Sequence, residues 1–419
     1  MRTLADWLAL QQAAHPRHID MGLERVASVA RRLGVERPAP AVITVAGTNG
    51  KGSTCAHLEA LLRAARSRVG LFTSPHFIRY NERIRVDGAE VGDAELIAAF
   101  ERIEQARGGV SLTFFEYNAL AALLIFRERA VDIAVLEVGL GGRLDATNLV
   151  DADVAVLCSV GFDHRDWLGD SLEAIGAEKA GIFRPGRPAV LGTSELPASV
   201  FARIDEIGAR ALVAGRDFDW SVGAGDWSYR GLRHVFESLP PPALAGEIQY
   251  RNAATALAAV EALDEKRVLD GHTVSEALRS VRLAGRFQIV PGPVEWILDI
   301  AHNEPAAAVF ASHLRARPCS GRTIAVVGIL RDKDAEGIAG RLRPLVDQWI
   351  LCSLSAEPRA MSAAELGARL DLPAGDVTLA DSVEEGCERA RSITRPGDRV
   401  IVFGSCYAVG PALQWLRIY

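Results

Sequence analysis

The sequence predicts an α/β protein built on two sheets, and three observations predict it. Short β-branched runs alternate with helical patterns through both halves of the chain, as parallel strands joined by crossover helices do. The alternation lapses over residues 193–250 and again at 285–293, then restarts, which places a domain boundary near residue 285. The first strand pattern stops abruptly in a glycine-rich turn that opens a helix.

Taken in order, residues 3–14 carry an amphipathic helix pattern through Leu4, Trp7, Leu8 and Leu10. Residues 18–22 read as a turn, and 23–33 as a second helix through Leu23, Val26, Val29, Ala30 and Leu33. The opening strand holds Val42, Ile43 and Val45, and Leu58, Leu61 and Leu62 line one face of the helix behind its turn. Four further strands are expected before residue 200, at 68–72, 131–136, 154–160 and 189–191, with helices such as 93–106 and 115–128 between them. Residues 193–250 read as irregular, with a short helix, Trp220, Trp227 and a proline run at 240–242. A helix over 252–263 would take Asn252 as its N-cap. Another spans 271–283, and 285–293 reads as a junction. Strands at 294–300, 323–328, 348–352 and 399–403 then alternate with helices, the first starting at about Pro305. Residues 285–419 are therefore expected to form a smaller, Rossmann-like α/β domain.

The turn itself reads Gly47-Thr48-Asn49-Gly50-Lys51-Gly52-Ser53. Glycines let backbone N–H groups point at an anion, the helix N-terminus adds positive partial charge, and Lys51 can reach terminal phosphates. The spacing differs from G-x-x-x-x-G-K-[ST], because Gly52 separates Lys51 from Ser53. Residues 1–284 are accordingly expected to be a P-loop-type, mostly parallel ATPase domain. A tight strand–helix connection would account for the glycines but not for a lysine and a hydroxyl placed at the helix start.

Composition narrows the class. Hydrophobic residues at 49% and charged residues at 24% are those of an ordinary globular chain. The net charge of −6 argues against a nucleic-acid binder. Six cysteines are scattered without a C-x-x-C pair, as free thiols in a reducing cytoplasm would be. The first residues carry no signal-peptide pattern, and the longest apolar run, 119–126, is too short to span a bilayer. A cytoplasmic protein, away from membranes and monomeric, is the expectation.

In parallel sheets ligands sit beyond the carboxyl ends of the strands. Ser53, Ser74, Glu137 and His164 each fall at or just after the end of a different expected strand. A hydroxyl, a carboxylate and an imidazole around a phosphate loop suit a magnesium–nucleotide site, although magnesium prefers oxygen ligands. Ser74 and His164 taken singly also read as turn residues. Glu137 closes the apolar run Ile133-Ala134-Val135-Leu136, where a lone carboxylate would be costly.

These residues resemble a known family. The loop Ala46–Ser53 is similar to that of the ATP-dependent amide ligases of the Mur ligase superfamily. Further strings narrow the resemblance: Ser74-Pro75-His76, the run from Leu136 through Asn148, Asp163-His164, Glu178-Lys179-Ala180-Gly181-Ile182, Gly285-Arg286-Phe287, and Asp299-Ile300-Ala301-His302-Asn303. Together they resemble the bifunctional dihydrofolate synthase/folylpolyglutamate synthase family over nearly the whole chain.

The resemblance implies roles. Gly47, Thr48, Asn49, Gly50, Lys51, Gly52 and Ser53 would hold the ATP phosphates, with Asn252, Arg286 and Asp299 as further nucleotide contacts, so that ATP is gripped between the domains. Ser74, Glu137 and His164 would ligate magnesium, two ions in all, the second completed by a carbamate on Lys179. Without the resemblance Lys179 reads as a solvated helical lysine, Arg286 as a surface cation and Asp299 as a turn former. The pterin substrate would meet His18, Ile19, Asp20, Met21, Thr113, Phe114, Phe115, Glu116, Leu144, Asp145 and Ala146. Phe114 would stack on the ring, and Asp145 would accept bonds from its N–H edge. Core packing is the other reading of Phe114 and Phe115. Lys51, Lys179 and His302 would be catalytic, with His302 on the amino-acid side. The string Gly404-Ser405-Cys406-Tyr407 departs from the Gly-Ser-x-His of some relatives, so a glutamate-binding role for that loop stays open.

The implied reaction joins L-glutamate to dihydropteroate or to tetrahydrofolate-type folates through an acyl phosphate. A carbamate on Lys179 would form only where CO₂ meets a neutral amine. Alternatives are a monofunctional folylpolyglutamate synthase, a muramyl-peptide ligase and a nucleotide-hydrolysing regulator. The phosphate loop begins at residue 47, which leaves little room for a UDP-sugar domain before it. No Asn-Lys pair supplies a guanine-reading N-K-x-D.

Overall fold

The computed structural model describes residues 2–17, 19–263, 269–354 and 359–419. The chain divides into two compact units. The first holds Met1–Gly161, Arg165–Ala243 and Tyr250–Val281; the second holds Phe162–His164, Leu244–Gln249 and Arg282–Tyr419.

The first unit is organised by an eight-stranded sheet. Its strands are β1 (Ala41–Ala46), β2 (Val69–Phe72), β3 (Ile84–Val86), β4 (Ala89–Glu90), β5 (Ile133–Glu137), β6 (Val154–Leu157), β7 (Pro188–Leu191) and β8 (Arg210–Val213). Their order is β4-β3-β2-β5-β1-β6-β7-β8. All neighbours from β2 to β8 are parallel, and only β3 and β4 run antiparallel at one edge. Residues 42–46, 133–137 and 154–157 are buried without alternation, because helices cover both faces of the sheet. Val42, Ala134 and Leu136 join one apolar cluster with the helices Glu24–Leu33, Asp93–Arg107 and Phe114–Glu128. Ala46, Leu157 and Leu191 join another with Leu172–Ala180 and Ala198–Ile207.

Three short strands, β9 (Asp219–Val222), β10 (Trp227–Arg230) and β11 (Val235–Leu239), make an antiparallel sheet where the sequence reads as irregular. Trp227 and Tyr229 supply its buried face. The buried Glu261 of the helix Ile248–Leu263 ties this sheet down. It accepts from the N–H groups of Leu232 (2.7 Å) and His234 (3.0 Å) and from the Tyr229 hydroxyl (3.3 Å). That helix begins at Ile248, so Asn252 lies one turn inside it and is not its N-cap.

The second unit carries a six-stranded sheet of order β12-β13-β17-β14-β15-β16. Its strands are β12 (Gln288–Val290), β13 (Glu295–Asp299), β14 (Thr323–Val327), β15 (Gln348–Cys352), β16 (Val377–Ala380) and β17 (Arg399–Phe403). Only β12 is antiparallel, and it lies inside the stretch expected to be a mere junction. The interior strands β14, β15 and β17 show the strong apolar runs expected of them, whereas β12 and β16 are short, half-exposed edges. The expected fold class is what the structure shows. Among the described residues no helix is long and apolar enough to cross a membrane.

Candidate active site

The first cluster is built at the carboxyl ends of β1, β5 and β6. Val45 is in register with Glu137, and Ala46 with Leu157, so the loop leaving β1 stands between the ends of its two neighbours. The loop is pinned to the turn after β6. Thr48 N–H donates to Ser159 O (2.9 Å), Asn49 N–H donates to Ser159 Oγ (3.1 Å), and Gly161 N–H donates to Thr48 Oγ1 (3.0 Å). Gly50 has φ +89°, and a Cβ there would come 3.0 Å from Asn252 Oδ1. Glycine is thus required by both conformation and space, and Asn252 is brought to the loop although its position in the helix was misread.

The helix Lys51–Ala64 starts at the expected lysine, with Ser53 buried in its first turn. Lys51 Nζ donates to the carbonyls of Gly47 (2.9 Å) and Thr48 (3.2 Å). Lys179, expected as a solvated residue from sequence alone, is 5% exposed, and its Nζ donates to the same Gly47 oxygen at 3.2 Å. The solvated reading is therefore wrong. The helix Leu172–Ala180 packs against the helix Ala198–Ile207 and turns Lys179 inward. Two buried or half-buried ammonium groups converging on one carbonyl prepare the loop for anions.

Glu137 is 3% exposed at the end of β5 and accepts the Ser74 N–H at 3.0 Å. Two expected metal ligands from separate strand ends thus meet. Among the described residues no three His, Cys, Asp or Glu side chains gather as a metal cage. One buried carboxylate that meets the Ser74 backbone nevertheless fits magnesium, which keeps several waters and takes few protein ligands. His164 belongs to the second unit, with φ +52° in the Phe162–His164 turn.

The residues expected at the pterin fall into three local groups, with His18 outside the described residues. Asp20 is paired with Arg25 (2.8 Å), which also donates to Glu116 (3.1 Å). Ile19 and Met21 are half-buried beside them, and the Met21 methyl lies 3.5 Å from where a Gly141 Cβ would stand. Thr113 and Glu116 form a capping box on the helix Phe114–Glu128, with Glu116 N–H on Thr113 Oγ1 (3.2 Å) and Thr113 N–H on Glu116 Oε2 (2.7 Å). Burial raises the Glu116 carboxyl, and the Thr113 and Arg25 interactions oppose that rise.

Phe114 faces Tyr80 edge-on at 6.0 Å, with the Arg83 guanidinium 5.5 Å over its ring. Arg83, which sequence reasoning missed, is buried and donates to His76 Nδ1 at 2.7 Å. Phe115 packs on Phe72 and closes over Gly139, where a Cβ would stand 2.5 Å from its ring. Asp145 has a structural duty that the sequence did not signal. Its Oδ2 accepts from Gly139 (3.0 Å) and Leu140 (2.9 Å) N–H, and its Oδ1 from Thr147 N–H (2.9 Å) and hydroxyl (2.7 Å). The carboxylate expected to read a ring edge is occupied in organising its own loop, with Leu144 half-buried and Ala146 buried on either side.

In the second unit Asp299 ends β13 and accepts from the N–H groups of Phe287 (2.8 Å) and Ala301 (2.9 Å). Burial raises its carboxyl, opposed by those bonds and by the half-buried Arg286. Gly285 (φ +60°) and Phe287 (φ +45°) flank Arg286 in a tight turn that Asp299 holds.

Asp163 is the hub of a second cluster. Its Oδ1 pairs with Lys333 Nζ at 2.6 Å, both side chains being at least nine-tenths buried. Its Oδ2 accepts from Asn303 Nδ2 (3.0 Å) and lies 3.3 Å from His302 Nε2. Burial alone would raise the Asp163 carboxyl, but His302, Lys333 and His164 hold it well below the usual carboxylate range. Burial lowers the His302 imidazole, Asp163 opposes this, and Lys333 and Arg286 add to it. Asn303 also caps the helix Glu304–Ala316 through its Oδ1. Lys333 carried no sequence signal, since a lysine in a polar turn reads as surface.

The chain is similar to known proteins along nearly its whole length. The family model for the Mur ligase middle domain matches residues 45–209, and that for the Mur ligase glutamate ligase domain matches 285–406. The dihydrofolate synthase/folylpolyglutamate synthase of Escherichia coli K12 is 44% identical over 98% of this chain and 95% of its own length. A structure of E. coli FolC in complex with DHPP and ADP superposes with a TM-score of 0.94 at 44% identity, covering 99% of this chain and 98% of that one. The bifunctional enzyme of Yersinia pestis with AMPPNP and manganese gives 0.92 at 41%, over 100% and 99%. A further bifunctional enzyme with manganese, AMPPNP and L-glutamate bound gives 0.92 at 40%, over 100% and 99%.

Proposed function

The chain belongs to the dihydrofolate synthase/folylpolyglutamate synthase family of Mur ligases, and we propose that it joins L-glutamate to 7,8-dihydropteroate and to folylpolyglutamates at the expense of ATP. The observation that carries this reading is the pair of lysines on Gly47 O beside the buried Glu137, a phosphate cradle with a carboxylate at its edge. Nucleotide and divalent metal are bound in the structures it resembles.

Residues 1–284 carry the nucleotide and pterin side in this reading, and residues 285–419 the glutamate side. The substrate carboxylate attacks the γ-phosphate, the bond to the β,γ-bridging oxygen breaks and ADP leaves the acyl phosphate, while Lys51 with the loop N–H groups neutralises the charge that develops there. Magnesium, for which Ser74, Glu137 and His164 are the proposed ligands, supplies further charge neutralisation on the phosphates. A carbamate on Lys179 would turn a buried cation into an oxygen ligand. The ring substrate is placed by Phe114, backed by Arg83 and Tyr80, with the Ile19–Met21 segment alongside. Glutamate's amine then displaces phosphate from the acyl carbon.

A coupled assay with Mg-ATP and glutamate, offering dihydropteroate and tetrahydrofolate separately, tests the proposal. Phosphate release that depends on glutamate with each acceptor is expected. Activity with tetrahydrofolate alone would reduce the enzyme to a monofunctional folylpolyglutamate synthase, and release independent of glutamate would remove the ligase reading.

A further inference from the structure

The helix Ile248–Leu263 meets the phosphate loop and the end of β7 at two points. Asn252 Oδ1 lies 3.0 Å from where a Gly50 Cβ would stand, and Thr255 Oγ1 lies 3.1 Å from where a Gly192 Cβ would stand. Cys158, just after β6, joins the two: its Cβ is 3.4 Å from the first point and its carbonyl oxygen 2.9 Å from the second. Arg251 stands in the first turn of that helix, next to Asn252 in sequence. It lies one turn before Thr255, whose hydroxyl donates to the Arg251 carbonyl at 2.7 Å. All of these residues belong to the first unit.

Arg251 has an unmet requirement. It is half-buried, yet among the described residues its guanidinium forms no hydrogen bond and no ion pair. Other half-buried arginines of the unit are paired, Arg25 with Asp20 and Glu116, and Arg85 with Glu59. Burial lowers the Arg251 pKa, and Cys158 and Glu195 oppose that fall. None of its nitrogens is sealed from solvent, so a ligand can reach them. A guanidinium keeps its charge in such a setting, and a partly desolvated charge without a partner costs stability until an anion arrives.

We propose that Arg251 is a further nucleotide-binding residue, whose guanidinium takes phosphate oxygens of ATP and ADP beside the loop; the proposal rests on the nucleotide reading of that loop. Two ammonium groups converge at one end of the turn, on Gly47 O. Asn252 meets the turn at Gly50, and Arg251 is its neighbour. A polyphosphate lying along the turn therefore has lysine cations toward Gly47 and a guanidinium toward Gly50. The planar fork of a guanidinium offers a phosphate two parallel N–H donors, which an ammonium cannot. Part of the nucleotide affinity is then relief of a cation that the free enzyme leaves unpaired.

Displacement of a fluorescent ADP analogue tests this without ring substrate or glutamate, with ATP, ADP and inorganic tripolyphosphate as competitors in magnesium buffer. For Arg251→Met, which keeps the apolar stem, affinity for all three should fall by about 10- to 100-fold. Arg251→Lys restores the charge but not the fork, and should bind about 3- to 10-fold more weakly than wild type. The thermal midpoint of nucleotide-free Arg251→Met should be no lower than wild type, because the guanidinium has no partner there to lose. Wild-type affinity for ATP and ADP in Arg251→Met overturns the proposal. So does a loss for ATP and ADP with tripolyphosphate unchanged, which would put Arg251 on the nucleoside. A nucleotide-free midpoint well below wild type in both variants makes the residue structural and overturns it as well. Should Arg251→Met alone fail to fold, Arg251→Lys decides, and wild-type affinity in that variant counts against the proposal. Wild-type enzyme that binds neither ATP nor ADP overturns the nucleotide reading instead.

Discussion

Lys179 and Lys51 bring two ammonium groups to one carbonyl oxygen, Gly47 O, at 3.2 and 2.9 Å. If Lys179 acts as a carbamate, Lys179→Ala should reduce turnover by about 100-fold or more while calorimetry still detects ATP binding. Turnover matching wild type would remove the carbamate role. Asp145 invites a different measurement, because its carboxylate holds three N–H groups and a hydroxyl of its own loop. Asp145→Ala should destabilise the protein by about 3 kcal/mol in urea unfolding, since buried donors lose their only described acceptor. At this scale the sequence carried residue identities better than residue duties. Ser74 and Glu137 were legible as a meeting point because strand ends converge in a parallel sheet. Lys179 and Lys333 were not, because burial of a lysine depends on which way its helix or turn is packed.

Among the elements, the helix Lys51–Ala64 carries its own pH sensor. His57 is fully buried within it, neither ring nitrogen has a hydrogen-bond partner among the described residues, and burial lowers its pKa to about 4. The unfolded chain takes up a proton near pH 6.5 that the folded chain refuses until about pH 4. Stability therefore falls as pH drops through that window, and His57 alone should cost about 2 kcal/mol between pH 7 and pH 5. Urea titrations of wild type and His57→Leu at both pH values check this, and an equal loss in both proteins would exonerate His57. The Thr113–Glu116 capping box sits on the helix that carries Phe114 and Phe115. Thr113→Ala should cost about 1 kcal/mol of stability. The pattern Thr-x-x-Glu before an apolar run signals such a cap in the sequence, so its structural duty was available beside the substrate role the family resemblance implies. Elements with long apolar runs were legible for a similar reason. The strands β3, β4, β8, β12 and β16 were missed because strands this short, at an edge or next to one, bury too few residues to leave a pattern. β9 to β11 owe their order to the buried Glu261, which lies in a helix beyond them in sequence.

For the whole molecule, the strand order places β1 between β5 and β6, and that order could not be read from alternation alone. It matters because it turns one glycine-rich loop into a site with a wall on either side: Glu137 at the end of β5, and Ser159 just beyond β6. A ligand seated there binds only the folded chain, so it must stabilise the whole first unit by mass action. Mg-ATP analogue at about a hundred times its Kd should add about 2.7 kcal/mol to unfolding free energy, seen as a rise in the thermal midpoint. Lys51→Ala should fold normally, because the helix Lys51–Ala64 keeps its apolar faces, yet lose most of that rise. Gly50→Ala should lose it by another route. Its φ of +89° and the 3.0 Å approach to Asn252 Oδ1 leave no room for a methyl group, so the loop itself must shift. If the analogue stabilises Lys51→Ala as much as wild type, the nucleotide is held elsewhere, and the loop is only a tight connection between strand and helix.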